Sequence, residues 1–392
     1  MLNETAYRLG SNRSVIRELF EYGNRRAAEV GRENVFDYSL GNPSIPAPAA
    51  VNDAIRQVLA ELDPLEIHGY TSAVGDAATR QAIAEDLNAR FGADAGAEDL
   101  FITCGAAPSL VAVLSALAVP GAEVLTVAPY FPEYRVFIEE AGAKMVVVPP
   151  DIPEFQIRLE AVDQRITENT VAILLNSPNN PAGTVYRRAT LEALAALLER
   201  KGREYGHPIY IVSDEPYREL AYDGAEVPFV PEIYADTVVC YSYSKSLSLP
   251  GERIGYVYVP KVAADSKGLY AAVAGASRAK GHVCAPSLMQ KVIARCAQLR
   301  PDLEAYDRNR RTLYEGLINA GYRVAKPEGA FYLFVEAPGG DAMAFSEKAK
   351  QRDLLLVPGD GFGCPGWFRV CYCVSLEMIR RSLPIFEALM KE

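Results

Sequence analysis

The lysine at position 245 stands where a side chain can do covalent chemistry. It follows an apolar run, Val238 to Tyr243, and precedes Pro250, Gly251, Arg253 and a second run, Ile254 to Val259. The β-branched and aromatic content of both runs predicts buried strands, and the proline and glycine break the connection between them. A lysine held among hydroxyls and near an arginine becomes a Schiff-base amine when a neighbouring cation or desolvation lowers its pKa. A lone lysine is usually a solvated surface residue, so the reading depends on what else the chain brings to it. In FITCGAAPSL, Gly105 permits a tight turn from strand to helix. The N–H groups of Ala106 and Ala107 then open the helix, where free donors and the helix dipole favour an anion such as phosphate, although one glycine before a helix is a weak signal. Asp214, at the carboxyl end of a strand predicted from Pro208 to Val212, is a candidate buried carboxylate. Tyr130, Phe131 and Tyr134 flank two prolines, an arrangement suited either to stacking on a planar ligand or to core packing.

The segment SYSKSLSLPGERIGY resembles the S-x-S-K-x-x-x-x-x-G-x-R-x-G signature of the class I/II aminotransferases, fold-type I enzymes that use pyridoxal 5′-phosphate. NSPNNPAG matches that family's N-x-P-N-N-P-x-G, and Tyr70 to Gly75 its Y-x-x-x-x-G; PEGAFY and FRV are similar to later family elements. The resemblance covers almost the whole chain. It implies that Lys245 is the Schiff-base lysine and proton shuttle, that Asp214 pairs with the pyridine nitrogen, and that Asn180 and Tyr217 hydrogen-bond the 3′ oxygen. Phe131 would lie over the ring; Gly105, Ala106, Ala107, Ser242, Ser244 and Arg253 would hold the phosphate, with Tyr70 reaching the phosphate of the neighbouring subunit in a homodimer. Relatives often place a hydroxyl where this chain has Ala106 and Ala107, so phosphate binding should rest more on Ser242, Ser244 and Arg253. Gly41 would pass over the substrate and Arg369 would clamp its α-carboxylate, a task suited to a planar guanidinium. Arg278 would meet a distal carboxylate from the neighbouring subunit, which makes aspartate with 2-oxoglutarate the leading substrate pair.

The elements that must position these groups follow from pattern. A helix is expected from Ser14 to Val30, with Val15, Leu19 and Tyr22 at helical spacing. Leu40 to Pro48 is too rich in proline and glycine for a regular element, and helices follow at Ala49 to Leu62 and from Asp76 to Phe91. Strands are expected at Glu123 to Val127 and Val171 to Leu175, then a helix from Thr190 to Tyr205. Phe131, Asn180, Asp214 and Lys245 each follow a separate predicted strand, in keeping with ligands lying outside the carboxyl ends of strands in open α/β sheets. The resemblance implies an α/β, mostly parallel, doubly wound sheet in a large domain at 45–290. A smaller α+β domain would combine 1–44 with 291–392.

Bulk properties narrow the class. With 392 residues, 49% of them hydrophobic and 23% charged, the chain has ample core-forming residues. A formal charge of -10 argues against nucleic acid or an anionic membrane as partner. The N-terminus lacks the apolar core of a signal peptide, and no run approaches the length of a membrane helix, so a cytoplasmic location is expected. The seven cysteines are read as reduced, mostly buried thiols, with no metal site. Cys371 and Cys373, the only close pair, are read as pointing to opposite faces of a strand. Two other functions share these residues. A carbon-sulfur β-lyase or an amino-acid decarboxylase starts from the same covalent cofactor linkage. An effector-binding module of a transcription regulator would need an added DNA-binding domain, for which the short N-terminal segment and acidic balance leave no room.

Overall fold

A computed structural model describes residues 2–11 and 15–392. Among the described residues twelve strands run in chain order: β1 (Phe36–Asp37), β2 (Leu100–Thr103), β3 (Glu123–Val127), β4 (Lys144–Val148), β5 (Thr170–Asn176) and β6 (Tyr210–Asp214), followed by β7 (Thr237–Ser242), β8 (Gly255–Tyr258), β9 (Tyr332–Glu336), β10 (Leu354–Leu355), β11 (Val357–Pro358) and β12 (Trp367–Cys371). The large sheet has the order β2-β8-β7-β6-β5-β3-β4. Strand β8 is antiparallel to both of its neighbours, and every other pair is parallel. Strands β3, β6 and β7 are buried at every residue, which explains why they read as continuous apolar runs rather than alternating ones.

Helices cover both faces of that sheet. Asp76 caps the helix Ala77–Phe91, its carboxylate accepting from the Thr79 N–H. The helix Arg188–Tyr205 buries Leu191, Leu194, Leu197 and Leu198 and begins two residues before the expected Thr190. The helix expected from Ser14 is found at Val15–Val30, with Leu19 buried and Val15 exposed; Ser14 itself lies outside the described residues.

A second, antiparallel sheet has the order β11-β12-β9, backed by the helices Leu303–Asn319 and Leu376–Lys391. The N-terminal β1 pairs in parallel with β10, so the start of the chain is stitched to its C-terminal part.

Two local readings change. Tyr243 leaves the strand and enters a short helix, Tyr243–Ser246, because the Ser242 hydroxyl accepts from the Ser244 N–H and caps a turn there. Pro208, which has no N–H for a ladder, stays outside β6, which instead runs on to Asp214. The reading that Cys371 and Cys373 face opposite ways is wrong. Residues two apart along a strand share a face, and the two sulfurs lie 3.4 Å apart, both buried.

Candidate active site

Because β8 is antiparallel, the start of β8 and the ends of β2, β3, β5, β6 and β7 meet at one edge of the sheet. A cavity of about 270 Å³ opens there, with walls from the large sheet, the small sheet and the N-terminal segment. Lys245 projects into it from the turn after β7, and its Nζ donates to the Gly41 carbonyl at 2.7 Å. Burial is the largest influence on its ammonium group and lowers its pKa; Arg369 and Arg253 push the same way, and the Cys371 and Cys373 thiols oppose them. A lysine in these surroundings gives up its proton more easily than a solvated one, as a nucleophile and base must. Gly41 is required where it lies, since a Cβ there would collide with the Tyr332 hydroxyl.

On one side of Lys245 the chain builds an anion cradle. Gly105 has φ +99° at the mouth of the helix Ala106–Leu117, and a Cβ on it would lie 2.8 Å from Arg253 Nη2. Ser242 and Ser244 share a hydroxyl contact of 2.7 Å, and both line the cavity with Ala106, Ala107 and Arg253. Arg253 holds left-handed backbone angles (φ 51°, ψ 59°), an unusual conformation for a non-glycine residue and one that clusters at functional sites.

On the other side stands Asp214. Its Oδ2 accepts from the Tyr134 hydroxyl at 2.5 Å, while its Oδ1 is buried with no partner. Burial pushes this carboxyl up to about 7; the Tyr134 bond opposes that rise and Glu215 adds to it. An orphaned buried carboxylate oxygen is costly unless a ligand supplies a donor. A protonated ring nitrogen in the cavity would do so, and would draw the carboxyl back to its ionised form. Because the folded value lies above the ordinary 3.8, the unfolded chain releases this proton first. In the cofactor-free protein, stability contributed by the group therefore falls as pH rises from about 4 to about 7 and is flat above that. Asp214→Asn is expected to remove this component, so that its melting temperature gains on the wild type across that interval. Parallel melting-temperature profiles for the two proteins would refute the assignment.

Asn176, at the end of β5, ties the neighbouring loop to this strand: its Nδ2 donates to the Asp214 carbonyl at 2.9 Å, and its Oδ1 accepts from the Asn180 N–H at 2.7 Å. Asn180 Oδ1 accepts in turn from Arg369 Nη1 at 2.9 Å, which leaves the amide nitrogen of Asn180 as its donor. Tyr217 pairs its hydroxyl with that of Tyr332 at 2.8 Å. Arg369, buried on β12, also donates to the Ser39 carbonyl, and its guanidinium carbon lies 4.7 Å from the Tyr332 ring centre and 5.1 Å from that of Phe362. Its Nε is buried without a partner. Phe131 lines the cavity edge-on to Tyr134, with ring centres 5.7 Å apart.

The structure thus gathers Lys245, Asp214, Tyr217, Asn180, Phe131, Arg369, Gly41 and the anion cradle around one space. Tyr70 is fully exposed, and Arg278 is exposed in the last turn of the helix Ser266–Ala279; neither lines the cavity within one chain. Sequence reasoning missed Tyr332, the Asn176 clamp and the Ile16 side chain that helps close the cavity from the N-terminal helix. It placed Tyr134 only among nearby aromatics. Among the described residues no group of three or more His, Cys, Asp or Glu side chains could hold a metal, and no helix is long and apolar enough to cross a membrane.

A planar pyridine with a phosphate arm, a hydroxyl and an aldehyde fits this donor set. The orphaned Asp214 oxygen would accept from the ring nitrogen, the helix mouth would hold the phosphate, and the Lys245 amine would meet the aldehyde. Comparison with known proteins agrees. Residues 33–384 match the family model for aminotransferase class I and II. The chain is 31% identical over 374 residues to an aspartate/prephenate aminotransferase of Thermus thermophilus, with 93% of each chain covered. It is 30% identical to a probable N-acetyl-LL-diaminopimelate aminotransferase of Bacillus subtilis, covering 91% of this chain and 89% of the other. A solved structure of an amino transferase from Eubacterium rectale superposes with a TM-score of 0.98 at 56% identity, covering 100% of this chain and 98% of that one.

Proposed function

The chain belongs to the class I and II aminotransferases, PLP-dependent enzymes of fold-type I, and on that footing we propose that it moves an amino group from L-aspartate to a 2-oxo acid such as 2-oxoglutarate. The observation that carries the reading is the unpartnered Asp214 oxygen facing the same cavity as the Lys245 amine and the free Nε of Arg369. Pyridoxal phosphate, when bound, supplies an electron sink for the charge left as the substrate α-proton departs.

The rest is the protein's work. Asp214 would hold the proton on the ring nitrogen. Asn180 and Tyr217 would donate to the 3′ oxygen, and Ser242, Ser244, Arg253 and the helix mouth at Gly105 would hold the phosphate. Arg369 orients the substrate through its α-carboxylate, which puts the Cα proton within reach of Lys245. Lys245 would hold the cofactor through its amine and, as a free amine, would accept the Cα proton and give it back, acting as base and then acid. The proposal includes a cytoplasmic homodimer, supported by free thiols at all seven cysteines, which suit a reducing compartment, and by the exposure of Tyr70, which suits a contact with a partner's phosphate. Aspartate as donor is supported by the similarity to the aspartate/prephenate aminotransferase of Thermus thermophilus and by an exposed Arg278 that a partner's site can use.

The test is a half-reaction. The PLP-loaded protein is mixed in turn with aspartate, alanine, phenylalanine and cystathionine, with no oxo acid present, and its absorbance is followed. Conversion to the aminated cofactor, fastest with aspartate, is the expected result. Pyruvate and ammonia accumulating without that conversion would replace the transaminase reading with a lyase. In the same assay Arg278→Ala should lower the aspartate rate relative to alanine; an unchanged ratio removes Arg278 from substrate selection.

A further inference from the structure

Tyr332 opens β9 and has no role in the chemistry described so far, yet its hydroxyl sits at the centre of the site. It lies 2.8 Å from the Tyr217 hydroxyl and packs so closely over Gly41 that no side chain fits there. Its ring faces the Arg369 guanidinium at 4.7 Å. Both tyrosines are buried, at 5% and 2% exposure, and both phenols have their pKa raised by burial, so each keeps its proton. Two neutral hydroxyls in one contact can be arranged in two directions. If Tyr217 donates to Tyr332, the Tyr332 hydrogen needs a further acceptor, and the guanidinium over its ring offers none. If Tyr332 donates to Tyr217, the Tyr217 hydrogen is free to turn into the cavity.

We propose that Tyr332 is a positioning residue whose hydroxyl donates to Tyr217 and thereby fixes Tyr217 as a donor to the 3′ oxygen of the cofactor. This rests on the reading that the cavity holds pyridoxal phosphate with its 3′ oxygen at Asn180 and Tyr217. A donor that itself accepts a hydrogen bond is polarised and becomes stronger. The chain Tyr332 to Tyr217 to 3′ oxygen therefore favours the ionised oxygen, and with it the unprotonated Schiff base that an incoming substrate amine needs. The charged and titratable groups around the pair are Arg369, Asp214, Cys371 and Cys373, with Lys245 across the cavity. All of them persist in the variants used below, so differences between variants isolate the hydroxyl.

The experiment is a pH titration of the absorbance of the PLP-loaded protein, without substrate, for wild type, Tyr332→Phe, Tyr217→Phe and the double variant. Tyr332→Phe keeps the ring that packs on Arg369 and removes only the hydroxyl. Its titration midpoint is expected to rise by about half a pH unit, and the same change in the Tyr217→Phe background is expected to do nothing, because the path runs through Tyr217. An unmoved midpoint in Tyr332→Phe, or an equal shift with Tyr217 already replaced, overturns the proposal while leaving the cofactor reading intact. A wild-type protein with no pH-dependent cofactor band takes down both.

Discussion

Replacing Lys245 with alanine is expected to lower turnover by at least about 10⁴-fold, since one side chain supplies both the covalent attachment and the proton transfer. Lys245→Arg should be equally inactive. Its guanidinium retains the charge but stays protonated, and so offers neither a nucleophile nor a base. Neither change should cost the fold much. The lysine is buried at an energetic disadvantage, and its one hydrogen bond goes to the Gly41 carbonyl, so stability within about 1 kcal/mol of wild type is expected. Steady-state rates together with a melting curve separate the two effects. A folded Lys245→Ala protein retaining a tenth of wild-type activity would end the mechanistic assignment.

Arg369→Ala is expected to reduce kcat/KM for the amino acid and the oxo acid together, because both present the same carboxylate. Truncating one partner of a buried hydrogen-bonded charge pair costs about 2–5 kcal/mol, or roughly 30- to 5,000-fold. The loss should fall chiefly on substrate, since Arg369 reaches the cofactor's groups through Asn180 while the phosphate cradle lies elsewhere in the cavity. Arg369→Lys should recover only part of it, as a compact ammonium lacks the planar fork that reaches Asn180 Oδ1, the Ser39 carbonyl and a carboxylate together. Unchanged kcat/KM with both substrates in Arg369→Ala would show that the carboxylate binds elsewhere.

What the sequence made legible is the part of the site that is local in the chain. Lys245 and Arg253 lie in one connection between two apolar strands, and Asp214 ends another, so strand pattern and punctuation place them at one sheet edge. The sheet order and the β12 frame that carries Arg369 become visible only with pairing. Tyr332 could not be read as a site residue, because F-Y at the head of a buried strand is indistinguishable from core, and its partner Tyr217 is 115 residues away. Tyr134 offered a fair signal, a tyrosine one turn beyond Phe131, but its choice of Asp214 over simple packing depends on an 80-residue separation. The thiols were misread through the alternation rule itself: Arg369, Cys371 and Cys373 occupy every second position, so the thiols continue the line of the arginine toward the Leu40 carbonyl, which lies 3.8 Å from Cys373 Sγ. Tyr70 and Arg278 do not line the cavity within one chain.

The contacts that close the cavity also differ in how far along the chain they reach, and this orders the assembly of the site during folding. Ser242 meets the Ile254 carbonyl across 12 residues, whereas Lys245 meets Gly41 across 204 and Arg369 meets Asn180 across 189. Loop-closure entropy makes the 204-residue contact about 2.5 kcal/mol more expensive to form than the 12-residue one. The serine and arginine half of the phosphate cradle is thus local to the β7–β8 hairpin, while its helix mouth at Gly105 and the substrate clamp both need contacts across much of the chain. A refolding chain is consequently expected to set Ser242, Ser244 and Arg253 in place before the groups that recognise an amino acid.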